Sequence, residues 1–310
     1  MKVLVTGGAG FIGSHVADAL LAQGHEVVVF DDLSTGRREN VPAGATFVEG
    51  DLRSEADVDR VFAEHRPDWV SHQGAQTSVS KSTREPLLDA AINVMGTLHV
   101  LRASVRHEIQ RLVFASTGGA IYGEVPEGER ATTAWMPQPI SPYACSKLAG
   151  EAYLGAFSSE FGLPTQILRY ANVYGPRQDP HGEAGVVAIF SQRIHGGEAL
   201  RINARKEAGD DGCVRDYVYV GDVVAANLRG LRGELDAPVV NVGTGVEATT
   251  KQIALGLARA LGKEPEITFG DRREGDLERS LLEPGTGPDL VPLDEGLAQT
   301  AAWFAERSGR

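Results

Sequence analysis

The chain is poor in cysteine: it has two in 310 residues, Cys145 and Cys213, far apart and outside any CxxC or His-rich spacing. That scarcity excludes a disulfide framework and a structural zinc site, gives no expectation of a metal, and suits a reducing compartment in which both thiols stay free. Long apolar runs are missing, and so are a basic leader and an apolar signal core ahead of the strand-like run from Lys2 to Thr6. The expectation is a cytoplasmic protein with no membrane partner. Positive charge is scarce too: 30 Lys and Arg against 42 Asp and Glu leave a net charge of -12, and the basic residues form neither a stripe nor a tail. A polyphosphate backbone would be repelled at long range, so no nucleic-acid partner is expected and any anionic ligand has to be gripped locally. There is no internal repeat and no low-complexity tract. What is present, 42% apolar residues over this length, suffices for one large α/β domain or two unequal lobes.

Over the first 170 residues short β-branched runs alternate with helical patterns, the signature of successive βαβ units and a parallel sheet. Strands are predicted at Lys2 to Val5, Glu26 to Phe30, Thr46 to Glu49, Trp69 to His72, Leu112 to Ser116 and Thr165 to Arg169. Helices are predicted around Ile12 to Ala22, Ala56 to Glu64, Leu87 to Val105 and Tyr143 to Glu160. In the third of these, Leu87, Leu88, Ala91, Val94, Met95, Leu98 and Leu101 recur at three and four, so one wide face must be covered by core or by a second subunit. After Asn172 glycine, proline and charge become frequent and the elements are expected to shorten. Val239 to Val242 reads as one more buried strand, returning the chain to the first sheet. The expected division is residues 1–171, rejoined by about 222–246, and a smaller interleaved lobe over 172–310.

Gly7, Gly10 and Gly13, with Gly8, follow a predicted strand and open a predicted helix. In that context glycines allow a tight turn and close approach of the backbone to a pyrophosphate, while the helix start offers free N–H groups and the positive dipole end. Asp31 lies about 20 residues beyond the last glycine, where a carboxylate can accept both ribose hydroxyls. A 2′-phosphate would meet its charge, so NAD is favoured over NADP despite Arg37 and Arg38 nearby. Asp32 reads as a solvated turn residue. Asp51 either faces the adenine amino group or caps the helix that follows.

Tyr143 and Lys147 are four apart on a predicted helix and project from one face. A free tyrosine, with a pKa of about 10, is a poor base at neutral pH, but an ammonium and a positively charged nicotinamide nearby would favour the phenolate. Such a pair can take a proton from a sugar hydroxyl. The alternative is an amphipathic helix with an aromatic residue on its inner face. Ser116 and Thr117, at the end of the preceding strand, offer the third group that such a site needs.

Taken together, TGGAGFIG (6–13), Asp31, STGGAIYG (116–123), YACSK (143–147), RYANVYGPR (169–177), VRDYVYVGD (214–222) and REGDLERS (273–280) resemble the extended short-chain dehydrogenase/reductase family, and within it the enzymes that invert C4 of a UDP-hexose. The resemblance spans residues 1 to 280. It implies a doubly wound parallel sheet of the Rossmann type with a smaller α/β substrate-binding lobe, NAD as cofactor, a UDP-sugar as substrate, and a homodimer built on helices. It implies Tyr143 as base, Lys147 as the group that lowers its pKa and holds the nicotinamide ribose, and Thr117 as the proton relay at the sugar. Cofactor contacts carried over by it are Gly7, Gly10, Phe11, Ile12, Gly13, Asp31, Asp51, Leu52, Asn93, Ser116, Tyr143, Lys147 and Tyr170. Substrate contacts carried over are Thr117, Asn172, Val186, Arg215, Arg273 and Asp276; guanidinium groups can grip a diphosphate in a fork that compensates an acidic chain.

Gly118 and Gly119 stand where related dehydratases carry an acidic pair, which disfavours dehydration. Residues 182–190 and Ser280 are expected to set the size of the sugar pocket, and the small Ser280 predicts room for N-acetylated sugars. Epimerases of UDP-uronic acids or pentoses are the competing substrates. A binding-only dinucleotide sensor is the reading from another class, against which the intact Thr117, Tyr143 and Lys147 set argues, and a sugar dehydrogenase would release NADH. The run from Glu283 to Pro288 departs from the family pattern.

Overall fold

The computed structural model describes residues 1–181, 185–273, 275–287 and 289–308. Thirteen strands occur among them: β1 Lys2–Thr6, β2 Glu26–Asp31, β3 Thr46–Glu49, β4 Trp69–His72, β5 Arg111–Thr117, β6 Thr165–Tyr170, β7 Asn172–Tyr174, β8 Leu200–Asn203, β9 Val214–Tyr219, β10 Val239–Val242, β11 Glu247–Thr249, β12 Ile267–Gly270 and β13 Arg279–Ser280. The chain divides into two compact units. The first comprises Met1–Thr117, Pro139–Arg169 and Val224–Val240, and the second Gly118–Gln138, Tyr170–Val223 and Asn241–Arg310. Among the described residues no helix is long and apolar enough to cross a membrane.

Seven strands form one sheet in the order β10-β6-β5-β4-β1-β2-β3. β1 pairs parallel with both β2 and β4, β2 with β3, and β4 with β5. The order reverses beside β1, and in a doubly wound sheet that reversal opens the crevice in which ligands bind. β1 and β2 are buried except at their first residues, as the valine-rich sequences KVLVT and EVVVFD require of strands covered on both faces. Leu4, Phe30, Phe62, Leu101, Leu112 and Phe114 belong to the apolar core of this unit.

Local chemistry fixes the helices. Ser54 caps Glu55–His65 by accepting from the Asp57 N–H. Ser141 caps Pro142–Phe161, which begins with proline and stops at Gly162 in the left-handed region. The segment predicted as one helix from Leu87 is three pieces in continuity: Pro86–Ala90, a π turn at Ala91–Met95, and Gly96–Arg106. Its buried positions are Asp89, Asn93, Gly96, Thr97, Val100, Leu101, Ala103 and Ser104, so the first half turns a polar face inward while Leu87 and Met95 are exposed. The apolar periodicity therefore marks the outer face there, not the core. The helix Val79–Arg84 escaped the sequence reading because six residues, three of them Ser or Thr, carry no apolar stripe.

In the second unit β9 pairs with β7, β11 and β13, and β8 pairs with β12. Tyr174, Phe190, Ile194, Ile202, Ile253 and Leu257 are in its core. Strands here are short as expected, but helices are not: Val186–Gly196, Thr250–Leu261 and Leu293–Ser308 run 11 to 16 residues. The glycine- and proline-rich sequence lies in the connections. The segment Gly118–Gln138, which falls inside the range 1–171, groups with this unit because its backbone pairs with 279–283: Val125 and Ala131 N–H groups donate to the Arg279 and Leu281 carbonyls.

Candidate active site

The glycine loop leaves β1 and enters the helix Phe11–Ala22, whose cap Gly10 contributes no side-chain bond and whose first turn carries no acid. The helix start is thus open to an anion. Gly7 has φ +63°, and a Cβ on it would lie 2.7 Å from the Gly74 backbone; a Cβ on Gly13 would lie 2.2 Å from the Gly7 carbonyl oxygen. Only glycine fits either position. Asp31, buried at the end of β2, accepts from the Ala9 N–H at 3.0 Å and the Leu33 N–H at 2.9 Å. Burial pushes its carboxyl up, and the two N–H groups pull it down. The cradle, the uncapped helix and this carboxylate fit a dinucleotide.

Asp51 is not a helix cap, since Ser54 fills that place; Arg53 grips its carboxylate through Nε and Nη2 and holds its pKa down. Leu52 packs over Gly74 and Gly96, where its side chain would meet an added Cβ within 3 Å. Phe11 and Ile12 form the first helical turn.

Asn93 sits on the π turn, fully enclosed: its Oδ1 accepts from the Gln76 N–H, and its Nδ2 contacts the Gln76 carbonyl, Asp89 and Ser146. It clamps the 73–76 loop and presents no unused polar atom. Ser116 is likewise engaged, donating to Glu151, which forms a buried ion pair with Arg169 at 2.6 Å.

Thr117, rather than Ser116, is the neighbour whose hydroxyl acts on the Tyr143 phenol, favouring its ionised form. Ser82 accepts the Tyr143 N–H at 3.1 Å and fixes the start of that helix. Lys147, one turn on, is buried with its ammonium 4.6 Å from the centre of the Phe114 ring. Burial lowers Lys147 to about 8, against the pull of Asp89 and Glu151. Burial raises the Tyr143 phenol to about 12; the Thr117 bond opposes that, and Asp89 adds to it. Burial and Asp89 together thus favour the neutral phenol.

In the second unit Asn172 donates to the Asp216 carbonyl at 3.1 Å and approaches the buried Ser280 hydroxyl at 3.5 Å. Arg215, paired with Ser280 across β9 and β13, spends Nη1 and Nη2 on the Val214 and Leu277 carbonyls. Asp276 is half-buried, Arg273 exposed, and Val186 opens the helix Val186–Gly196. Tyr170, the last residue of β6, is buried. Residues 182–184 of the expected pocket segment, and Pro288 of the divergent run, lie outside the described residues.

Sequence reading missed His72, Asp89, Glu151 and Asp216. Asp89 and Glu151 carried a signal, each spaced at four from a named residue on the same helix, Asn93 and Lys147. Asp216 accepts from the Thr244 N–H and hydroxyl and from the Gly245 and Leu282 N–H groups, and no local pattern announces that.

Known proteins are similar to this chain over nearly its whole length. The UDP-glucose 4-epimerase of Mycolicibacterium smegmatis is 42% identical over 99% of this chain and 100% of its own length. The crystal structure of the Thermus thermophilus UDP-glucose 4-epimerase in complex with NAD superposes with a TM-score of 0.93 at 53% identity, covering 98% of this chain and 99% of that one. The Thermotoga maritima UDP-glucose 4-epimerase with UDP-glucose gives 0.93 at 45% identity, covering 99% of this chain and all of that one. Residues 3–243 match the family described as NAD dependent epimerase/dehydratase, and the chain is a member of it.

Proposed function

We propose that the protein is an NAD-dependent epimerase that inverts C4 of a UDP-hexose, interconverting UDP-glucose and UDP-galactose. The observation that carries this reading is the placing of Tyr143 one turn before the buried Lys147 on the helix Pro142–Phe161, with Thr117 acting on the phenol. Gly7, Gly10, Gly13 and Asp31 would hold NAD, which supplies a reversible hydride acceptor and, when oxidised, the positive charge that a phenolate at Tyr143 needs. Tyr143 then takes the proton of the sugar 4-hydroxyl, with the Thr117 hydroxyl donating to its oxygen. Lys147 adds a buried ammonium that stabilises the same negative charge. The 4-keto sugar turns over, and Tyr143 returns the proton as C4 is reduced on its other face. No net oxidation results.

For the UDP part we assign Asn172, Val186, Arg215, Arg273 and Asp276, as the family resemblance implies. Arg215 would exchange its carbonyl partners for phosphate oxygens. Gly118 and Gly119, with no carboxylate, argue against dehydration, the other activity in the family's description. Ser280, small and buried, favours tolerance of N-acetylated sugars, which turnover of UDP-GlcNAc would test. The exposed Leu87, Met95, Tyr153 and Phe161 favour a homodimer through these helices, and the two free cysteines favour a cytoplasmic location.

The test is incubation of purified protein with UDP-galactose and no added cofactor. UDP-glucose should form without release of NADH, and Tyr143→Phe should abolish it. A requirement for a stoichiometric oxidant would instead identify a dehydrogenase.

A further inference from the structure

Thr6 and His72 are register partners on β1 and β4, the central strands beside the reversal of sheet order. The Thr6 hydroxyl lies 2.7 Å from His72 Nδ1 and accepts the Gly74 N–H at 3.1 Å. On the other side of the ring, Nε2 lies 3.1 Å from the Thr97 hydroxyl, which donates to the Asn93 carbonyl at 2.7 Å. Thr97 has one hydroxyl proton and gives it to that carbonyl, so it must accept from His72. The ring is therefore the Nε2–H tautomer, and Nδ1 accepts from Thr6. Burial and the nearby Lys147 hold His72 down to about 3, and the ring stays neutral.

The chain of bonds continues. Asn93 Nδ2 donates to the Ser146 hydroxyl at 3.1 Å, and Ser146 donates to the Tyr143 carbonyl at 2.9 Å. Asn93 Nδ2 shares its two protons among Ser146, the Gln76 carbonyl and Asp89, so the chain runs from the glycine loop to the backbone of the phenol with that one branch point. We propose that His72 is a positioning residue which, through Thr6 on one side and Thr97 and Asn93 on the other, holds the cofactor loop and the Tyr143 helix in one register. This rests on the reading of the glycine loop as the NAD cradle and Tyr143 as the base. His72 reaches both only through other groups, and its neutrality keeps the bond directions fixed.

The test uses the full-length protein stripped of nucleotide and titrated with NAD by calorimetry, alongside steady-state turnover of UDP-galactose. In Thr97→Val the Kd for NAD should rise about tenfold, as expected for the loss of buried hydrogen bonds, with kcat reduced and KM for the sugar unchanged. Thr97→Ser should restore both. Thr6→Val combined with Thr97→Val should cost no more than the worse single change, since both cut one chain. Should Thr97→Val not fold, Thr97→Ala removes the same hydroxyl without added bulk. A variant that melts lower but keeps NAD affinity and kcat overturns the proposal, as does strict additivity. If the wild-type chain itself binds no NAD, the cofactor reading fails and this proposal with it.

Discussion

The two groups of the YxxxK pair have opposite electrostatic problems. Burial keeps the Tyr143 phenol neutral, raised to about 12, while it weakens the Lys147 ammonium, lowered to about 8. If Tyr143 is the base, as proposed, a site that holds its proton until positive charge arrives beside it would act only with cofactor in place. Lys147 should carry a stability cost. The unfolded chain holds the lysine proton over the window from about 8 to 10.5 and the folded chain does not, so the contribution of Lys147 to stability rises with pH across it. Lys147→Met should therefore be more stable than wild type at pH 7, with the gap closing as pH rises through that window, while kcat collapses. Urea unfolding at stepped pH measures this, and a gap that does not vary with pH would refute it. The Glu151–Arg169 pair predicts the reverse. Arg169→Met leaves a buried carboxylate uncompensated and should cost about 3–5 kcal/mol in the same assay. Tyr143 and Lys147 were legible in the sequence because their spacing is helical. Glu151 and Asp89 were not singled out, since a carboxylate on a helix is ordinarily solvated and only burial reveals the exception.

Among the elements, the strands of the large sheet were the most legible, each read to within a residue or two; β1 and β2 in particular are covered on both faces and must be near-continuous apolar runs. The Pro86–Arg106 helix was legible in existence but not in orientation. Its inner face holds Asp89, Asn93 and Thr97, and a polar face inside a protein looks from sequence like a polar face outside. The π turn that carries Asn93 has no sequence signal of its own, and π turns cluster at functional sites. The glycine loop gives the sharpest prediction at this scale. In Gly13→Ala the new methyl meets a backbone carbonyl, which cannot swing away as a side chain would. NAD affinity should fall at least about tenfold, while the circular dichroism spectrum stays near wild type; unchanged affinity would contradict the cradle. Ser54→Ala removes the cap on Glu55–His65 and should cost about 1 kcal/mol in unfolding experiments, with catalysis unaffected.

The whole molecule presents an acidic surface and a set of apolar side chains left outside on two helices, Leu87 and Met95 on one, Tyr153 and Phe161 on the other. Large apolar groups that form one exposed patch are more often interface than accident, and the proposed dimer requires these four to form one. Sedimentation should give twice the 33.0 kDa chain mass, and Leu87→Glu with Met95→Glu should return it to one chain. A wild-type monomer at micromolar concentration would refute the interface. The apolar periodicity flagged Leu87 and Met95 but could not say which way they point, because a period of 3.6 reports a stripe and not the side on which it is buried.

By itself the sequence determined the class of fold and was enough to propose the cofactor loop and the base with its lysine, because each of these is local: glycines at a turn, an acid at a strand end, two side chains one helical turn apart. Only the tertiary structure decided which surrounding groups act on them. His72 meets Thr6 because β4 lies beside β1, and Asp216 ties Thr244 to Leu282 across long stretches of chain. Hydrogen bonds between residues 28 or 66 positions apart leave no periodic trace. They exist only once burial has removed water and each donor has had to find a protein acceptor.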